Sequence, residues 1–157
     1  NIFGLPGETL EEALQTVRLN IEIKTDFPWS ALLQPFPGTQ LGEFVRQQNM
    51  FEGDFSQFED SFFRRSPLKL AQKREIENLH KLFFFAVKFP FLLPLIKRAI
   101  RFPLDNFYDI LFLFGYMHSF KASEGITWSE TLRIAFSNVR KFFLTRSAGS
   151  SGTKAVS

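Results

Sequence analysis

Cysteine is absent from the 157 residues of this chain. Its absence excludes disulfides, thiolate zinc sites, a cysteine nucleophile and any iron–sulfur cluster held by cysteines of this chain. Histidine is scarce, because only His80 and His118 are present, and each lies in an aromatic helical pattern. We interpret both as packing or boundary residues. The chain by itself is therefore predicted to contain no catalytic residue and no metal ligand.

Long apolar runs are also lacking. The longest uncharged run after residue 50, Ile110–Phe120, has 11 residues, whereas a membrane span needs about 20. We expect a cytoplasmic location, and association with a membrane surface stays open. The chain begins at Asn1 without an initiating methionine, a charged leader or a cleavage site. We expect it to be part of a longer polypeptide, whose amino-terminal portion would be its first partner.

The sequence is rich in phenylalanine, and its charges are distributed unevenly along the chain. There are 22 phenylalanines, most of them after Phe51. Residues 1–60 carry 3 basic and 10 acidic side chains, whereas residues 61–157 carry 16 basic and 6 acidic ones. The two parts are expected to have different surroundings, and the aromatic surplus requires a core, a partner or a lipid interface.

The first fifty residues have the pattern of a strand, a helix and a second strand. Ile2-Phe3 precedes a glycine-rich turn, and Thr9 with Glu12 fits a capping box that begins a helix. The apolar run from Trp29 to Gln34 has the length of a strand. This order predicts a parallel α/β unit, in which ligands bind at the loops after the carboxyl ends of the strands.

The remainder is predicted to be helical. Thr39 is expected to cap a helix that ends near Asn49, and a connecting loop at 51–67 ends in a helix start at Ser66-Pro67. The fold class is therefore α/β followed by all-α, with a phenylalanine-rich helical part at 68–146 and a disordered tail at 147–157. The predicted helices cover 68–89, 91–101, 104–121 and 128–145, the last with a capping box formed by Thr127 and Glu130.

Two turns of defined spacing carry the functional signal. The first, Gly4-Leu5-Pro6-Gly7-Glu8-Thr9, lacks the Lys-Ser/Thr ending of a phosphate loop. The second, Gln34-Pro35-Phe36-Pro37-Gly38-Thr39, follows about thirty residues later, after one helix. Together they resemble the last part of the partial (β/α), TIM-like barrel of radical S-adenosylmethionine enzymes, most closely the cobalamin-binding subgroup. The resemblance covers residues 1–50, and the later helices are similar in character to the helical extension of that subgroup.

The resemblance implies an enzyme in which a [4Fe–4S] cluster cleaves S-adenosylmethionine to a 5′-deoxyadenosyl radical. The cluster-binding CxxxCxxC loop and a cobalamin domain would precede Asn1, so that this chain alone is expected to be inactive. The implied partners are a small organic substrate and a reductant such as flavodoxin or ferredoxin. Composition adds that the phenylalanine-rich helices, including Phe83 to Phe85, would line a site for an apolar substrate such as a lipid or a tetrapyrrole.

The resemblance also implies cofactor-binding residues. Ile2 and Gly4 resemble the centre of the family's GxIxGxxE pattern, whose backbone lies against the adenine of the cofactor, and Gly7 continues the same turn. Glu8 falls one position later than that pattern expects, and stabilising the following helix through its dipole is the alternative role. The second turn adds two rim residues, Gln34 and Thr39, of which Thr39 has the alternative role of a plain helix cap.

The other charged patterns indicate neither an acid–base site nor a nucleic-acid-binding site. Adjacent carboxylates at Glu11-Glu12 and Glu59-Asp60 diverge on a helix and are interpreted as solvated. The basic stretch from Arg64 to Arg74 lacks a nucleic-acid recognition motif, and no nucleic-acid partner is expected. Two alternatives stay open: a non-enzymatic helical module that binds a membrane surface through residues 68–121, and a radical S-adenosylmethionine enzyme without cobalamin.

Overall fold

The computed structural model describes residues 1–52 and 65–134. The chain divides into two units, residues 1–116 and residues 117–157, of which the second is described as far as residue 134. Most of the predicted connecting loop, the carboxyl-terminal part of the predicted 128–145 helix and the predicted tail at 147–157 lie outside the described residues. The Glu59-Asp60 pair and Arg64 lie outside them as well.

The first fifty residues form two strands and two helices. Strand β1 (Ile2–Phe3) is followed by α1 (Leu10–Glu22), then by β2 (Ala31–Leu32) and α2 (Gln40–Gln47). The two strands pair in parallel. The predicted order of strand, helix and strand is thus confirmed, although β2 is shorter than the predicted run of 29–34. In the described part of the chain this pair is the whole sheet, and its membership of a barrel stays a prediction.

Helix α1 begins and packs as the sequence pattern indicates. The Thr9 hydroxyl accepts the Glu12 N–H at 3.3 Å, and the Glu12 carboxylate accepts the Thr9 N–H at 2.8 Å. The predicted capping box is therefore present. Ala13, Leu14 and Val17 are buried on one face of the helix. The helix ends at Glu22.

The predicted helix start at Ser66-Pro67 is wrong. Helix α3 (Lys73–Lys88) begins six residues after Pro67. The backbone before α3 instead pairs in antiparallel fashion with residues 50–52, which follow α2. The Glu52 N–H donates to the Pro67 carbonyl at 2.7 Å, and the Lys69 N–H donates to the Met50 carbonyl at 2.8 Å. These long-range hydrogen bonds satisfy backbone groups that a local helix would otherwise have used.

Helix α3 is the centre of the first unit. It contacts α1, both strands, and the two short helical segments that follow it. The Phe83 ring meets Phe3 edge-on, with 5.4 Å between the ring centroids. Ten of its sixteen residues are buried, so that the near-continuous apolar run at 82–87 serves as core. At roughly 1.5–3 kcal/mol for each large apolar side chain, this burial is the main source of stability in the unit.

The later helices lie close to the predicted ranges 91–101 and 104–121. A 3₁₀ turn (Pro90–Leu92) leads into α4 (Leu93–Ala99), and α5 (Asp105–Glu124) follows. The Asn78 side-chain amide on α3 donates to the carbonyls of Ile100, at 2.8 Å, and Phe102, at 3.3 Å, and so satisfies the end of α4. Among the described residues, no helix has the length and apolar character that crossing a membrane requires.

The second unit is described by residues 117–134. Gly125, with φ of +65°, follows the end of α5, and residues 128–134 are helical. The Glu130 carboxylate accepts the Thr127 N–H at 2.8 Å, while the Thr127 hydroxyl accepts the Glu130 N–H at 3.4 Å. The predicted capping box is therefore confirmed. Within this unit the Lys121 ammonium lies 5.4 Å from the centroid of the Trp128 ring, a cation–π contact.

Candidate functional site

Two glycine-rich turns leave the same edge of the β1–β2 pair. Ile2 is opposite Ala31 and Phe3 is opposite Leu32, in parallel register. The Leu33 N–H donates to the Phe3 carbonyl at 2.8 Å and extends the pairing by one residue. Residues 4–9 and 34–39 therefore follow the carboxyl ends of adjacent strands, and we call these two turns the strand-end edge. The edge contains most of the residues predicted from the sequence, namely Gly4, Gly7, Glu8, Gln34 and Thr39, and Ile2 precedes it in β1.

The first turn is organised by the Glu8 carboxylate. Its Oε2 accepts the N–H groups of Gly4 and of Leu5, the latter at 3.1 Å, and the Glu8 N–H donates to the Leu5 carbonyl at 2.9 Å. Gly4 and Gly7 have φ values of +79° and +81°, in the left-handed region that favours glycine. The turn is thus held by its own backbone and by one side chain.

Burial raises the pKa of Glu8 above its usual range, although the two N–H donors partly oppose this shift and Glu12 adds to it. The carboxylate is half-buried and already engaged with the turn. The observed role of Glu8 is to stabilise the turn before α1, and its effect on the helix through the dipole stays a prediction. A contact between Glu8 and a cofactor stays a prediction.

The glycines of the edge differ in what surrounds them. Gly4 is buried, and a Cβ at this position would stand 3.4 Å from the Ser66 hydroxyl and 3.5 Å from the Leu70 side chain. Gly7 and Gly38 are exposed, and a Cβ at either position would have no atom within 4 Å. The edge thus presents bare backbone at Gly7 and Gly38, where a flat ligand can approach closely. The Ile2 side chain is 54% exposed on the strand itself.

The second turn ends in the predicted helix cap. The Thr39 hydroxyl accepts the Gly42 N–H at 3.0 Å and donates to the Phe36 carbonyl at 2.7 Å. The cap role that the sequence offered as the alternative for Thr39 is thus observed. Gln34 lies half-buried between the end of β2 and this turn. The outer side of the turn borders a depression of about 140 Å³ lined in part by Pro37 and Arg46.

A buried polar cluster, which sequence reasoning missed, lies elsewhere in the first unit. His80 is fully buried and its Nδ1 lies 2.9 Å from the Ser30 hydroxyl, which is also buried. Next to it, the Lys81 ammonium contacts the Asp109 carboxylate at 2.8 Å, with only 5% of the lysine side chain exposed. The signal in the sequence was the pair His80-Lys81 inside an apolar helical run. Because His80 pairs with Ser30 and Lys81 pairs with Asp109, we interpret these polar groups as structural. This interpretation is in keeping with the packing role expected for His80.

The phenylalanines expected to line a substrate site have different positions. Phe83 and Phe84 are buried in the core of the first unit, and the Phe84 ring occupies the space where a Cβ on Gly115 would stand. Neither ring is available to a substrate in this arrangement. Exposed aromatic side chains instead follow α3, at Phe89 and Phe91. Phe85 is partly buried against the core, and contact of this chain with an apolar substrate stays a prediction.

Within residues 1–52 and 65–134, no group of three or more His, Asp or Glu side chains is arranged to hold a metal ion. Besides the Glu8 carboxylate, which the first turn engages, the strand-end edge offers backbone groups, one amide and one hydroxyl to a ligand. Neither the scan against protein-family models nor the searches of curated proteins and solved structures found a match to this chain.

Proposed function

We propose that this chain is the carboxyl-terminal portion of a radical S-adenosylmethionine enzyme, of the cobalamin-dependent kind, that modifies an organic substrate by methylation, ring formation or a similar radical reaction. In this proposal residues 1–50 are the distal part of a partial (β/α) barrel and residues 68–146 are its helical extension. The observation that carries the proposal is the pairing of β1 with β2 in parallel, with both glycine-rich turns at one edge.

The strand-end edge would bind S-adenosylmethionine through its backbone. Bare backbone at Gly7 and Gly38 suits close approach of a flat ring, and Gln34 and Thr39 supply the nearby polar side chains. Ile2 and Gly4 support the edge from β1. The chain has no cysteine, so the [4Fe–4S] cluster, which supplies the electron that cleaves the cofactor, would be held by another part of the polypeptide.

The first test is made on the whole gene product. The coding sequence upstream of Asn1 should encode a CxxxCxxC loop and, before it, a cobalamin-type α/β domain. The anaerobically purified polypeptide, supplied with a reductant, should convert S-adenosylmethionine to 5′-deoxyadenosine. An intact gene without the cysteine loop would exclude the enzyme, and a gene with the loop but without the α/β domain would exclude only cobalamin.

Glycine substitutions test the edge itself. In that polypeptide, Gly7→Ala and Gly38→Ala should each raise the KM for S-adenosylmethionine about tenfold, equivalent to about 1.4 kcal/mol of binding energy, because a methyl group would stand where the ligand approaches. Gly125→Ala is the matched control, since Gly125 also has positive φ and no atom within 4 Å of a Cβ. All three changes should cost similar stability, and an equal rise in KM for Gly125→Ala would count against the site.

A further inference from the structure

The outer side of the α4 region is apolar where most helices are polar. Phe91, Leu95 and Phe102 are 76%, 63% and 58% exposed. Phe91 lies in the 3₁₀ turn before α4, Leu95 and the exposed Arg98 lie in α4, and Phe102 follows the helix. The opposite side packs into the first unit through Ile96 and Ile100, which are buried in its hydrophobic core. We call these four exposed residues, Phe91, Leu95, Arg98 and Phe102, the α4 outer face.

The charges around this face all have one sign. Residues 88–104 contain four cations, Lys88, Lys97, Arg98 and Arg101, and no acidic residue. Arg98 and Arg101 form no ion pair with a carboxylate of the described residues, and both are exposed. Lys97 contributes weakly to the lowered pKa of Glu11, whose carboxylate is ion-paired with Arg18 at 2.6 Å. A partner that covers this face therefore meets aromatic rings and a concentrated positive charge.

The start of α5 provides a contrast. Phe107, Ile110 and Phe114 are also exposed, at 54%, 67% and 52%. Residues 105–116, however, contain Asp105 and Asp109 and no cation. This second apolar surface, which we call the α5 outer face, lacks the charge that would attract an anionic partner.

We infer that the α4 outer face docks on the surface of a bilayer that contains anionic phospholipid. Exposed phenylalanine and leucine side chains enter the boundary between headgroups and acyl chains, and lysine and arginine beside them bind the lipid phosphates. Charge complementarity selects this occupant over an uncharged apolar protein surface, against which Arg98 and Arg101 would have to be buried without partners. The inference does not depend on the proposed enzymatic function.

Vesicle co-sedimentation of the 157-residue chain tests this inference. The chain should bind vesicles of phosphatidylcholine mixed with phosphatidylglycerol, and bind vesicles of phosphatidylcholine alone much more weakly. Phe91→Ser combined with Leu95→Ser should abolish sedimentation. Arg98→Gln and Arg101→Gln should each weaken binding to the anionic vesicles by about fivefold, with a further loss at high salt.

The matched control is Phe107→Ser combined with Ile110→Ser on the α5 outer face. This variant removes a similar amount of exposed apolar surface, but from a segment, residues 105–116, that contains no cation. It should therefore keep the wild-type affinity. Circular dichroism confirms that both double variants are folded, since the substituted side chains are exposed. The inference is overturned if the chain binds both kinds of vesicle equally, if it binds neither, or if the control loses binding as fully as the α4 variant.

Discussion

Among single residues, the buried pair of Lys81 and Asp109 has the clearest energetic consequence. The ammonium is nearly fully enclosed, whereas 25% of the Asp109 side chain is exposed. Because a buried charge that loses its partner is poorly compensated, we expect Asp109→Ala to lower the free energy of unfolding by about 3 kcal/mol. Urea denaturation of the 157-residue chain measures the change.

A double variant separates the charge from the packing. Lys81→Met combined with Asp109→Leu removes both charges and keeps apolar volume, so it should recover most of the stability lost by Asp109→Ala. Equal destabilisation in the single and double variants would show that shape, and not the unpaired ammonium, determines the effect. The polar pair was not predicted from the sequence, because its two members lie on helices whose contact only the tertiary structure specifies.

At the scale of elements, the helix caps are the features that the sequence predicted best. The boxes at Thr9 and Thr127 and the cap at Thr39 depend on residues within three positions of each other, so local chemistry suffices to specify them. The start predicted at Ser66-Pro67 depended on equally local signals but was wrong, since backbone pairing with the segment around Met50 competes with the helix there. Local signals therefore predict an element only where no distant segment forms hydrogen bonds with the same backbone groups.

The α1 cap can be tested with a control in the same helix. Thr9→Ala should destabilise the chain by about 1 kcal/mol, because the Glu12 N–H loses its acceptor. Thr16→Ala makes the same chemical change in the helix interior, where the hydroxyl makes only a 3.5 Å contact with the Glu12 carbonyl. Because alanine favours a helix interior, Thr16→Ala should be neutral or slightly stabilising. Thermal unfolding monitored by circular dichroism compares the two, and a Thr16 variant as unstable as the Thr9 variant would contradict the cap assignment.

For the whole molecule, Glu77 is one of the groups that make stability depend on pH. Burial raises its pKa above 4.5, against the opposing effects of the Ser66 N–H and of Lys73, Lys81 and Arg65. The folded state thus holds this proton at pH values where the unfolded chain has released it. The Glu77 contribution to stability is therefore greatest below pH 4.5 and is lost as the pH rises through the folded-state pKa.

Replacing the acid with its amide isolates this contribution. Glu77→Gln keeps an oxygen that accepts the Ser66 N–H, 2.8 Å from Glu77 in the wild type, but it does not titrate. Relative to the wild type, the variant should gain stability between pH 4 and pH 7. Unfolding by urea at a series of pH values measures the difference, and parallel curves for the two proteins would contradict the assignment. Glu11 and Glu12, whose pKa values are lowered by hydrogen bonds, contribute with the opposite sign in both proteins and cancel in the comparison.

Also at this scale, the architecture was predicted in part. The strand, helix and strand of the first half were correctly ordered, because period and turn chemistry are local properties of the sequence. The candidate edge followed from that order alone, since parallel strands bring their carboxyl ends together. The position of Phe83 and Phe84 in the core was not foreseen: an apolar run in a helix looks the same whether it faces a ligand or another helix.

The enclosure of the Lys81 ammonium also makes this residue a chemical reporter. The neutral amine of a lysine that solvent can reach attacks the acyl carbon of an acylating reagent and displaces its leaving group, so the exposed Lys24, Lys69 and Lys97 should be modified quickly in the native chain. Lys81 reacts only when its side chain leaves Asp109 and enters water. The rate of its acylation, read by mass spectrometry, therefore measures the free energy of local opening between α3 and the start of α5, without denaturant and at a single position.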